Sequence, residues 1–224
     1  MPARSKARVV AIEGRTPSPQ AMRKLAGQKA HIYYFQSPKN HRRFIFCDQL
    51  TFYLAILLEA ELNVTSYRAS QPEDSTPGPM PCLNAVLCNG EQLSYIVCYE
   101  TEARLGVVGT LAELSAPLAD GQCKIVTAQF IRDQHIQIEN WLLMCANMSR
   151  AKNYSCIDEA EAMFKDLRRL GTVNLWALIQ GAEIDEARML AAVARALQAG
   201  TVICDTATKP FTYNSALALR TGVL

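Results

Sequence analysis

Five carboxylates stand near one another in the chain: Asp48, Glu59, Glu61, Glu100 and Glu102. Two or more of them gathered on one Mg²⁺ would supply the hard oxygen shell that ion requires, where the ligands must both hold it and offset its charge. The plainer reading, which we favour, is that they are solvated surface groups. Other metal chemistry has little to build on. His31, His41 and His135 lack acids or cysteines at ligand spacing. The cysteines Cys47, Cys82, Cys88, Cys98, Cys123, Cys145, Cys156 and Cys204 form no CxxC pair. Most lie in apolar stretches and read as buried, reduced thiols.

The elements that would position these acids follow from the pattern around them. Leu50–Glu59 is apolar on more than one face and free of Pro and Gly, which predicts a largely buried helix, with Asp48 as its N-cap. Val64–Arg68 alternates and contains β-branched residues, as a half-buried strand does. Residues 72–81 hold four prolines, a glycine and two acids, and so read as a loop. Two further strands, Leu83–Cys88 and Leu93–Tyr99, flank Asn89-Gly90, a strong hairpin signal.

A helix followed by strands in this order resembles the PD-(D/E)XK nuclease core. In finer detail it is similar to the N-terminal domain of the TnsA family, the endonuclease subunits of heteromeric transposases. In that family a glutamate lies in the first helix, an aspartate opens a "PDFLV"-like strand, and an "ExK"-like or "QVK"-like triplet ends the next. Thr51 falls on the glutamate, Asn84 on the aspartate, Val97 on the variable acid or amide and Tyr99 on the lysine. The likeness continues through Lys124–Arg132, like a "VTE..IR" strand, and Ile138–Leu143, like an "NL..L" helix. The fold class it implies is α/β: a restriction-endonuclease-like mixed-sheet core with a C-terminal winged-helix domain.

These substitutions remove the chemistry that the resemblance would otherwise imply. A threonine hydroxyl and an asparagine amide are neutral ligands, so two negative charges are lost from the metal site. A tyrosine, with an ordinary pKa of about 10, cannot supply the lysine's cation. The expectation is a catalytically inactive subunit with no cofactor. The contrary reading is an active endonuclease that binds Mg²⁺ through relocated acids, with Asp48, Glu59 and Glu100 first among them.

Charge is distributed unevenly along the 224 residues. Residues 1–43 contain ten Lys and Arg against Glu13 alone, a net +9, whereas the remainder is net −7. A basic arm punctuated by Pro17, Pro19 and Pro38 suits phosphate contact, because each neutralised phosphate releases counterions. Lys24, Lys29, Lys39, Arg42, Arg43 and Arg132 are the expected DNA-binding residues. His31–Phe35, between the basic clusters, reads as an opening strand. No run of about twenty apolar residues and no signal-type stretch is present, so the expected setting is the cytoplasm, nucleoid-associated in a bacterium, with no membrane partner.

The last third predicts helices over 155–170, 174–180 and 184–199, then short strands at 202–204 and 211–213. Three helices and a hairpin make a winged-helix arrangement, with 184–199 in the recognition-helix position. That helix region carries two arginines against three acids, fewer cations than a groove reader needs, so a protein-docking role is at least as well supported. The expected organisation is a basic arm at 1–30, a nuclease-fold domain at 31–136 and a winged-helix-like domain at 137–224. The resemblance implies DNA at transposon ends, a DDE transposase and an AAA+ regulator as partners. A winged-helix DNA-binding or defence adaptor is the alternative outside transposition.

Overall fold

The computed structural model describes residues 31–69, 82–98, 108–114, 116, 123–180 and 185–221. The chain divides into two compact units, Met1–Asp133 and Gln134–Leu224. Both combine helices with a sheet, so the α/β expectation holds.

The first unit opens with an antiparallel hairpin of β1 (Tyr33–Ser37) and β2 (Arg42–Phe46). Tyr33, Phe35 and Phe46 face the helix that follows: Tyr33 stacks on Phe52 at 4.8 Å between ring centroids, and Phe35 meets the same ring edge-on. That helix, α1 (Gln49–Ala60), is capped as its sequence predicts, with the Asp48 side chain accepting from Thr51 N. Eight of its twelve residues are buried, consistent with apolar residues on more than one face.

A mixed four-stranded sheet comes next, built from β3 (Val64–Ala69), β4 (Cys82–Leu87), β5 (Gln92–Cys98) and β6 (Cys123–Thr127) in that spatial order. The first three strands are antiparallel, and β6 runs parallel to β5. The β4–β5 turn places Gly90 at φ +87, where a side chain would be strained, which accounts for the Asn-Gly signal. A short helix, α2 (Leu111–Leu114), precedes β6, and α3 (Ala128–Asp133) follows it.

Side chains alternate across a sheet and directly paired residues share a face, so the register sorts this sheet into two sides. Tyr67, Ala85, Leu93, Tyr95, Val97 and Val126 lie on the side that is buried. Helix α1 lies on that side, because Tyr67 Oη donates to Glu59 Oε1 at 2.6 Å. Ser66, Arg68, Asn84, Val86, Gln92 and Ser94 lie on the other, more open side.

The second unit contains α4 (His135–Arg150), α5 (Ile157–Leu170), β7 (Thr172–Asn174), α6 (Leu175–Gln180), α7 (Glu186–Gln198), β8 (Val202–Ile203) and β9 (Ala216–Leu219). Its strands form an antiparallel sheet in the order β7-β9-β8. Two local expectations change. Thr172–Asn174, adjoining or inside the expected second helix, is a strand because residues 216–218 pair with it from over forty positions away. Phe211–Tyr213, expected as a strand, belongs to a turn: Asn140 accepts from Phe211 N at 2.7 Å, and Thr212 N and Ser215 Oγ close a local bond. The last strand therefore begins only at Ala216.

The cysteine expectation also changes. The seven described thiols are free, but only Cys145 and Cys156 are buried, and Cys88 is exposed at the β4–β5 turn. No described helix is long and apolar enough to cross a membrane.

Candidate functional site

Of the four positions that the resemblance assigns to a nuclease centre, the three that are described, Thr51, Asn84 and Val97, are not gathered. Asn84 pairs with Ser94, on the open side of the sheet, and accepts a hydrogen bond from Ser94 Oγ at 2.8 Å. Val97 has the opposite parity and is 2% exposed on the side covered by α1. One residue of offset sends a side chain through the sheet, so Asn84 and Val97 cannot serve one centre. Keeping Val97 moves the aspartate position on β4 to a residue of Leu83 parity. Thr51 is fully buried, with its hydroxyl and amide both donating to Asp48 Oδ2 at 2.6 and 2.7 Å. Tyr99 lies outside the described residues.

The favoured reading of the acids as solvated groups is corrected for two of them. Asp48 is 5% exposed and is consumed by the cap of α1. Glu59 is fully buried and accepts from Ser37 Oγ, Tyr67 Oη and, at 3.1 Å, Lys39 N. Three donors around one carboxylate explain why burial is tolerated there. They also commit Glu59 to holding β1, β3 and α1 together. Glu61 is half-buried, and Glu100 and Glu102 lie outside the described residues. Among the described residues no three His, Cys, Asp or Glu side chains group as a metal site requires.

The side of the sheet under α1 is thus lined mainly by apolar and aromatic residues. The one cation on it among the described residues, Lys124, is buried, and its ammonium donates to Glu113 O. Burial pushes the Lys124 pKa below the ordinary lysine value, against the weaker pull of Glu113 and Glu61. Burial likewise raises the phenol of Tyr95, whose hydroxyl donates to Leu114 O at 2.7 Å. These described residues do not fit a divalent cation, which needs several converging oxygen ligands.

The expected DNA-binding cations divide by position. Lys39 is largely structural: its ammonium donates to Leu58 O at 2.9 Å, Val64 O at 2.7 Å and Glu61 O. Those carbonyls lie at and just beyond the end of α1, where a cation is favoured. Three donors on three carbonyls use the ammonium fully. Arg42 Nη2 donates to Tyr67 O at 3.2 Å, and its guanidinium lies 4.9 Å from the centre of the Phe44 ring. Arg43 and Arg132 are exposed, with Arg132 Nη2 donating to Gln129 Oε1 at 3.3 Å. Lys24 and Lys29 lie outside the described residues.

The open side of the sheet carries a concavity of ≈ 450 Å³, lined by Arg42 and Arg68 together with Asn40, Ser66, Asn84 and Gln92. Lys39 also lines it, and the described lining residues include no acid. Arg68 was missing from the expected DNA contacts. Its signal was present in the alternation of Val64–Arg68, which sets Arg68 beside Ser66 and away from Tyr67.

In the second unit α7 is mostly enclosed, with Met189, Ala191, Ala192, Val193, Ala194, Ala196 and Leu197 buried. Its two arginines point to internal partners. Arg188 Nε pairs with the buried Glu159 at 2.9 Å. Arg195 donates to Ala151 O at 2.8 Å and to Tyr154 O and Ser155 O, both at 3.1 Å. That clamp holds the turn before Cys156, which adopts a left-handed φ of 52. A helix occupied in this way presents little to a DNA groove.

No protein-family model matches the chain, and no curated protein matches its sequence.

Proposed function

We propose that this chain is a TnsA-like, catalytically silent subunit of a Tn-type transposition machinery, acting as architecture between DNA ends, a DDE transposase and an AAA+ regulator. The observation that carries the reading is the order and direction of elements in the first unit. A buried helix leads into three antiparallel strands, and a fourth strand lies parallel to the third. That order and direction support the nuclease resemblance.

The second unit adds support. A helix, a strand, two helices and two strands, with the sheet order β7-β9-β8, suit a winged-helix domain. Because α7 is enclosed and its arginines are engaged, this unit is better suited to docking a protein than to reading a groove.

The sheet face where α1 lies supports silence. Leu83 and Val97 are buried there, while Asp48 and Glu59 are committed to a helix cap and to an internal hydrogen-bond cluster. A silent subunit leaves the 5′ strands at the element ends uncut. Strand transfer by the transposase then joins the element to its target while it is still attached to donor DNA, and a cointegrate results.

The test is transposition reconstituted with the cognate transposase and regulator, with and without this chain. The reading predicts more products when the chain is present, and those products are cointegrates. Simple insertions that require the chain would assign it the cutting role instead. Indifference to the chain would remove it from transposition and favour the adaptor.

A further inference from the structure

The open face of the four-stranded sheet, remote from the buried side on which α1 packs, has the chemistry of an anion site. Arg68 is exposed on β3, and no described residue supplies it with a carboxylate. Arg42 approaches the same concavity from β2. Its guanidinium is anchored by a donation to Tyr67 O and lines the concavity as a fixed positive charge.

Around these two arginines stand Asn40, Ser66, Asn84 and Gln92, all short or uncharged polar side chains. Among the described residues no Asp or Glu lines the space. The Lys39 ammonium is turned to the carbonyls of Leu58, Glu61 and Val64. The two arginines are therefore the cations that define the potential of the concavity. Arginine forks match phosphate oxygens, and neutral amides and hydroxyls can add hydrogen bonds without charge. The concavity is open rather than enclosed, which suits a segment of polymer backbone better than a small molecule needing burial on most sides.

We infer that this face binds the phosphodiester backbone of DNA, with Arg68 as its principal contact and Arg42 as the second. The inference rests on the DNA-contacting part of the proposed function and adds the surface responsible. DNA is held on the side of the sheet away from α1, by backbone charge rather than by bases.

The experiment is fluorescence anisotropy on the full chain with a labelled duplex and a labelled single strand of equal length, across a salt series. Inorganic phosphate is the competing probe. Arg68→Ala should weaken binding about tenfold and reduce the slope of log affinity against log salt by about one, as expected for a lost phosphate contact. Arg68→Glu should weaken it further, and Arg169→Ala, an exposed cation in the second unit, should leave it unchanged. Arg68 is exposed, so its variants should keep the wild-type Tm.

Wild-type binding that is indifferent to both Arg68 substitutions overturns the inference and leaves the rest of the proposed function standing. Absence of wild-type DNA binding overturns both the inference and the DNA contact, while the transposition products still report separately on the machinery. Arg68-dependent binding of inorganic phosphate without binding of DNA also overturns it, by assigning the site to a free anion.

Discussion

At the scale of single residues, the carboxylates act through hydrogen bonds. Removing Glu59 would strand the hydroxyls of Ser37 and Tyr67 and the amide of Lys39 inside the protein. Glu59→Ala should therefore cost roughly 3 kcal/mol in urea unfolding, against about 1 kcal/mol for Asp48→Ala, which removes a helix cap. Equal losses would show that the Glu59 cluster is not the stronger tie. The sequence disclosed Asp48 as a cap because its partner is three residues away. It could not disclose Glu59, whose partners come from β1 and β3. Parity across the sheet gives a second prediction. Leu83→Asp with Val97→Glu places two carboxylates on one face, so Mn²⁺ should raise the Tm of that variant. Asn84→Asp with Val97→Glu separates them by the sheet and should gain nothing from Mn²⁺. A Tm gain in the second pair alone would restore Asn84 to the family's aspartate position.

At the scale of elements, local signals gave the helix at 49–60, the strands on either side of Asn89-Gly90 and the helix ended by Gly171. Elements made by distant pairing were not legible. The strand at 172–174 exists through residues 216–218, and the turn at 204–215 is fixed by Asn140, whose side chain also donates to Thr206 O and Lys209 O at 2.8 Å. Asp205 gives this turn a pH dependence. Thr208 donates to it from both hydroxyl and amide, which holds its carboxyl below the usual aspartate value. A carboxyl depressed in the folded state adds stability above its unfolded pKa, and that stability disappears as pH falls through the folded value. Asp205→Ala should thus lower Tm at neutral pH, with the difference vanishing as pH falls below the ordinary aspartate range. A difference that persists unchanged into that acid range would contradict this role.

At the scale of the whole molecule, the charge asymmetry was visible in the sequence, but the division of labour among the cations was not. Lys39, Arg188 and Arg195 look alike in sequence to Arg68, yet each is spent on an internal acceptor while Arg68 is exposed. The residues ahead of the first strand include seven of the ten N-terminal cations. If they contact DNA, deletion of residues 1–30 should weaken duplex binding and flatten its salt dependence. Unchanged affinity would remove the arm from the interface. The proposal of a nuclease-like frame without nuclease chemistry is tested most directly by incubating the purified full chain with supercoiled plasmid and Mg²⁺ or Mn²⁺, alone and with the transposase proposed as its partner. The account predicts no metal-dependent nicking above the chelated control that can be assigned to this chain. Metal-dependent nicking that Asp48→Ala or Glu100→Ala abolishes would contradict it.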